Sequence, residues 1–246
     1  MRLDVHFEDA SPFPEALAGR MVVVIDVLRA STTIATALHH GALAIVPVAT
    51  PDDARAQARH FPEGRVLLTG ERHARKIPGF DLGNSPREFT REIVAGKTIV
   101  LTTSNGTRAL LAAAPGARDV LVGSYVNCSV VLRAVRSALQ QGTDVALVCA
   151  GSDRRFSLED AACAGRLARG VAQSAEWGAT VRLNDAAQAS MLIETDYAED
   201  IARLFADADH GRALRDAGFA ADLEACAEID SCPVAPAWVD GRLVVR

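Results

Sequence analysis

Just beyond the apolar runs of this chain stand isolated carboxylates and small hydroxyl or glycine turns. Asp26 ends MVVVID, Glu71 stands in Gly70-Glu71-Arg72 after VLLT, TTSNGTRAL follows TIVL, and Glu159-Asp160 come shortly after VALVC. A glycine- and hydroxyl-rich turn that opens a helix offers unpaired N–H groups and a positive dipole end to a phosphate. Thr103, Ser104, Asn105, Gly106 and Thr107 fit that use, with Arg108 nearby. Ser and Asn before a helix are also ordinary caps, but five consecutive small donors exceed what one cap needs.

The carboxylates suggest a hard cation. Mg²⁺ takes one or two carboxylates and completes its shell with water and substrate phosphate. Asp26, Glu71, Asp81, Glu159 and Asp160 could supply the carboxylates if the strands bring them together. Plainer roles exist for each. Asp26 could cap the helix near Ser31 or pair with Arg29, and Glu159-Asp160 could be first-turn acids.

A rival chemistry is written in Cys149-Ala-Gly-Ser-Asp-Arg154-Arg155, which spells C-x₅-R between a strand and a helix. That spacing lets a thiolate and an Arg share one phosphate in cysteine phosphatases. Val148 stands where the usual His precedes the Cys, and Phe156 where a Ser or Thr follows the Arg. Cysteine at a strand end is also common simple packing.

Other chemistries find less support. His39-His40-Gly41 has the form of a helix C-terminus, and His6, His60, His73 and His210 show no zinc spacing. Walker A and GxGxxG motifs are absent, and Val27-Leu28 after Asp26 breaks the D-x-D pattern of haloacid-dehalogenase-type phosphatases.

The elements that would position these residues follow a repeated scheme of apolar run, polar loop and helix-period segment. Runs at 21–26, 44–48, 66–69, 98–101, 119–122 and 144–149 are rich in β-branched residues. Such runs alternating with helices predict an α/β fold, a mostly parallel sheet with helices on both faces. The opening LDVHF predicts an edge strand, and a long loop is expected from Gly70 to Asn84. Beyond Leu158 the chain is expected to be largely helical to about Ile229. A terminal antiparallel hairpin then turns at Asp240-Gly241. No linker divides the chain, so residues 1–246 are expected to form a single integrated unit, or two similar lobes of one wide sheet.

The chain has 246 residues, 49% of them apolar, and a net charge of −5. That is an ordinary globular composition, and its acidity argues against wrapping nucleic acid, which needs excess cationic charge. The basic residues are nearly all Arg; Lys76 and Lys97 are the only Lys. Five cysteines without a CxxC pair and a start lacking an apolar run predict a cytoplasmic protein. The uncharged stretch 30–51 breaks at Gly41 and contains Pro47, so no membrane association is expected. A homodimer is the base-rate expectation.

VVVIDVLRASTTIATAL, GER, IPGFDLGNSPREF, GKTIVLTTSNGTRAL, VLVGSYVN, LVCAG and FSLEDAACAG, in that order over residues 21–165, together resemble the 2-phosphosulfolactate phosphatase family. The resemblance implies a Mg²⁺-dependent phosphatase with an α/β fold of its own. It implies conversion of 2-phospho-3-sulfolactate, a small anionic phosphorylated substrate, to 3-sulfolactate and phosphate, a step toward coenzyme M. It also implies that the blocks meet at one site. The expected catalytic residues are Asp26, Arg29 and Glu71. Ser31, Thr32, Asn84, Ser85, Ser104, Asn105, Gly106 and Thr107 are expected to bind substrate and phosphate. Asp26, Asp81, Glu159 and Asp160 are expected to hold the metal. Whether a water, Asp26 or Cys149 attacks phosphorus stays open at this level.

Overall fold

The computed structural model describes residues 1–7, 14–174, 180–197 and 200–245. In chain order the described strands and α-helices are β1 (Arg2–His6), β2 (Met21–Ile25), α1 (Ala30–His39), β3 (Ala44–Pro47), α2 (Pro51–Ala58), β4 (Val66–Arg72), β5 (Arg75–Lys76), α3 (Arg91–Val94), β6 (Thr98–Thr102), α4 (Gly106–Ala113), β7 (Asp119–Gly123), α5 (Cys128–Gln140), β8 (Val145–Cys149), α6 (Leu158–Ala172), β9 (Arg182–Leu183), α7 (Asp185–Tyr197), α8 (Ile201–Asp207), α9 (Asp209–Asp216), α10 (Ala220–Ala227), β10 (Pro236–Val239) and β11 (Arg242–Val245). Positions 175–179 and 198–199 of the expected helical region lie outside the described residues.

The fold is mixed α/β. Its strands form one sheet in the order β5-β4-β6-β3-β11-β10-β7-β2-β8-β1-β9. Two parallel groups, β4-β6-β3 and β7-β2-β8-β1-β9, are joined by the terminal hairpin. That hairpin lies mid-sheet rather than at a rim, pairing Ala237 with Leu121 on one side and Leu243 with Ile45 on the other.

Strand alternation sends successive side chains to opposite faces, and β2 shows why its run is continuously apolar. Val23 and Ile25 enter one core, with residues of α5, α6 and α8, while Val22 and Val24 enter the other, against Ile34 of α1 and Leu110 of α4. Both faces are covered, so neither can be polar.

Two local expectations are corrected. β1 is not at the edge: Arg2 and Leu3 pair with β9, and Leu3, Asp4 and Val5 are all buried. The expected long loop after Thr69 begins with strand instead. β4 continues through Glu71 and Arg72, and the chain turns at His73 and Ala74, with φ of 53° and 61°, into β5. The sequence of Gly70-Glu71-Arg72 carries no apolar side chain, which hid this extension. Among the described residues no helix is long and apolar enough to cross a membrane.

Candidate active site

Ligands of open α/β sheets collect beyond the carboxyl ends of the strands, and a cavity of about 270 Å³ lies there, lined in part by Asp26, Arg29, Glu71, Asn84, Ser104 and Asn105. Asp26 follows β2 directly. Its Oδ1 accepts the Ala30 N–H at 3.1 Å and its own N–H donates to Ser31 Oγ at 2.9 Å, so it braces the start of α1 while lining the cavity. The Ser31 and Thr32 hydroxyls face the other way. Ser31 Oγ donates to Val24 O at 3.4 Å, and Thr32 Oγ1 donates to Val27 O at 2.9 Å and pairs with Ser124 Oγ at 2.7 Å. Both are buried; they shape the turn and do not line the cavity.

At the end of β4, beside β6 in the sheet, Glu71 crosses to the turn that opens α4. Ser104 N–H donates to Glu71 Oε1 at 2.8 Å, and Ala74 N–H donates to Oε2 at 2.9 Å. Within TTSNGT, Thr107 is turned inward: its N–H donates to Thr103 Oγ1 at 3.1 Å and its hydroxyl to Thr103 O at 3.0 Å. Ser104 and Asn105 remain on the cavity wall. Gly106 is required by close approach. A Cβ there would stand 2.6 Å from Ala30 Cβ and 2.7 Å from Asp26 Oδ2, so only glycine lets the α4 N-terminus come so near the Asp26 carboxylate.

The remaining carboxylates separate. Glu159 and Asp160 occupy the buried first turn of α6, capped by Ser157. Asp160 accepts the Val27 N–H at 2.8 Å and the Gly151 N–H at 3.2 Å, pinning the loop after β2 to the loop after β8. Glu159 lines an adjoining cavity with His210 of α9. Asp81 is not brought to the group. It is exposed, outside the cavity lining, and its Oδ2 accepts the Leu68 N–H at 2.8 Å.

Burial raises the pKa of Asp26 to about 6; His210 and the Ala30 N–H oppose the shift, and the Glu71 and Glu159 charges add to it. Burial likewise pushes up Glu159, and burial with the charges of Glu159 and Asp26 pushes up Asp160. These buried carboxyls lie close enough that their charges raise one another, a setting that a cation relieves. Among the described residues no group of three His, Cys, Asp or Glu is arranged to hold a metal ion by itself. Mg²⁺ needs only one or two carboxylates beside water and phosphate, so Asp26, with Glu159 nearby, fits its donor chemistry.

The cavity also has a wall that sequence reasoning passed over. His73 and Ala74 come from the β4–β5 turn, Ser152 and Asp153 from the loop after β8, and His210, Leu214 and Ala217 from α9 and its end. Arg29 pairs with Asp222 of α10 at 2.6 Å, and Asp222 Oδ1 accepts the Ser85 hydroxyl at 2.7 Å. Ser85 is therefore tied to Asp222 and is absent from the cavity lining, whereas Asn84 lines it with a buried Oδ1 that has no hydrogen-bond partner among the described residues.

The sequence profile of the family described as 2-phosphosulpholactate phosphatase matches residues 8–241. A Symbiobacterium thermophilum protein named "Probable 2-phosphosulfolactate phosphatase" is 41% identical over 234 residues, covering 95% of this chain and 97% of that one. Proteins of the same name from Carboxydothermus hydrogenoformans (40% identical, 100% of this chain and 98% of that one) and Thermotoga maritima (37%, 92% of each) are also similar.

The chain belongs to the 2-phosphosulfolactate phosphatase family.

Membership makes it a phosphoric monoester hydrolase. In this 2-phosphosulfolactate phosphatase family member the C-x₅-R spacing does not build a thiolate cradle. Cys149 is wholly buried among the apolar residues of one core and does not line the cavity. Burial and the charges of Asp160 and Glu159 push its thiol well above the usual range, which disfavours the nucleophilic form.

Proposed function

We propose that the chain hydrolyses 2-phospho-3-sulfolactate to 3-sulfolactate and inorganic phosphate with Mg²⁺ as cofactor, a reaction that serves coenzyme M-type biosynthesis. The observation that carries this reading is the convergence of Asp26, Glu71 and Arg29 with the α4 N-terminus on one cavity at the strand ends.

Asp26 and Glu159 are the residues that would hold Mg²⁺. When bound, the ion would withdraw charge from a phosphoryl oxygen and lower the pKa of a coordinated water. The chain's own groups do the rest. Arg29 binds an oxyanion of the substrate, and the first amides of α4, from Asn105 and Gly106, receive phosphoryl oxygens along the helix dipole. Asn84 offers a polar amide to the remainder of a small acid. Glu71 bonds to the Ser104 and Ala74 amides and so keeps the two turns in register. Such fixed donors favour the transition state because they need no rearrangement as charge moves to the leaving oxygen.

Phosphate release from racemic 2-phosphosulfolactate, 2-phospholactate and phosphoglycolate, each in Mg²⁺ and in EDTA, tests the substrate. Preference for the sulfonate is expected. Preference for another acid would retain the chemistry and remove the pathway. Absence of release from all three by the folded chain would make it a phospho-ligand binder instead.

A further inference from the structure

Arg29 is a buried cation whose direction is set from the far end of the chain. The side chains of Arg29 and Asp222 are 2% and 3% exposed, and Nη1 donates to Asp222 Oδ2 at 2.6 Å. Phe219, immediately before α10, lays its ring on the guanidinium, with Cζ 4.2 Å from the ring centroid. Nη2 donates to Ala74 O at 3.4 Å. An arginine carries five donors in one rigid plane. Asp222 fixes the direction of that plane and Phe219 fixes its tilt, so the donors left over point where these two place them. Asp222 also accepts the Ser85 hydroxyl at 2.7 Å, and so holds the segment whose preceding residue, Asn84, lines the same cavity.

We propose that Asp222 is a positioning residue: with Phe219 it aims the free N–H groups of Arg29 at an oxyanion of the substrate, and through Ser85 it holds Asn84 beside it. This rests on the phosphatase reading of the cavity, but anion binding tests it without turnover. A merely structural pair would fasten α10 to the sheet regardless of what Arg29 binds. A positioning residue matters only while Arg29 is present.

Inorganic phosphate, titrated calorimetrically into the full chain with Mg²⁺, separates the two. Asp222→Ala should weaken phosphate about tenfold, the scale of coupling between contacting residues. Asp222→Asn should retain affinity within about threefold, because its amide oxygen can still accept from Arg29 while its NH₂ donates to Ser85. In an Arg29→Gln background, Asp222→Ala should cost no more than about twofold further. Should Asp222→Ala fail to fold, Phe219→Leu keeps the ion pair and removes the ring, with a loss of about threefold expected that disappears without Arg29. Unchanged affinity in Asp222→Ala and Phe219→Leu, losses of equal size when Arg29 is gone, or no phosphate binding by the wild-type chain would overturn the proposal. Phosphate binding with this pattern, but no phosphoester hydrolysis, would overturn the proposed activity alone.

Discussion

Glu71 occupies the first amide of the turn that opens α4: its Oε1 accepts the Ser104 N–H at 2.8 Å while its Oε2 accepts the Ala74 N–H at 2.9 Å. One carboxylate thus braces two cavity walls and fills a donor that an incoming oxyanion would use. Replacing Glu71 with Ala should separate binding from turnover. Inorganic phosphate should bind about threefold to tenfold more tightly, since a competing negative charge is gone. Turnover should fall at least about a hundredfold, since the donors lose their fixed placement. Calorimetry beside phosphate release measures both, and a parallel loss of affinity and rate would contradict the account.

Asp26 should cost the fold stability at neutral pH. Its pKa is about 6 in the folded chain against 3.8 without the fold. The folded state therefore holds the proton more tightly, and the stabilisation that protonation brings is full below 3.8 and lost as pH rises through about 6. That difference corresponds to about 3 kcal/mol. In EDTA, Asp26→Asn should be more stable than wild type at pH 7 by roughly that amount, with the gap closing as pH falls toward 4. Urea denaturation across that range measures it, and a gap that ignores pH would count against the buried carboxylate. Added Mg²⁺ should stabilise wild type but not the variant.

Gly106→Ala tests the close approach of α4 to the Asp26 turn. The new methyl meets Ala30 Cβ at 2.6 Å and Asp26 Oδ2 at 2.7 Å, and neither belongs to a long flexible side chain. Overpacking of this kind costs about 1–3 kcal/mol, and the displaced carboxylate should lower turnover as well. Wild-type melting temperature and turnover together would show that the helix can retreat freely.

Much of this site could be inferred from where apolar runs stop. Asp26, Glu71 and Ser104 each follow a strand core, and a parallel sheet gathers strand ends along one edge. Asp81 has the same look, yet the exposed segment that carries it turns back to bond the Leu68 N–H. Ser31, Thr32 and Thr107 sit in the right turns, but their hydroxyls bond backbone or neighbouring hydroxyls, a direction that spacing does not encode. His210 and Asp222 left the faintest trace. Helical periodicity tells which face is buried and not what it is buried against, and Asp222 meets Arg29 across 193 positions of chain. The mid-sheet hairpin was recognisable as a hairpin from Asp240-Gly241, while its place between Leu121 and Ile45 depends on pairings distant in sequence.

Cys149→Ala should leave turnover within about twofold of wild type, because the thiol is a core group outside the cavity. Iodoacetamide should likewise leave the native enzyme active. A loss of a hundredfold or more with the fold intact would return the thiolate to the mechanism.

The most direct test of the account is phosphate release from 2-phosphosulfolactate by wild type and Asp26→Asn, first in EDTA and then with Mg²⁺ restored. Wild type should be silent in EDTA and recover with Mg²⁺, while Asp26→Asn should stay at least about a thousandfold slower than wild type once Mg²⁺ is restored. Full release in EDTA, or an Asp26→Asn variant as fast as wild type, would contradict a metal-assisted phosphatase built on this carboxylate.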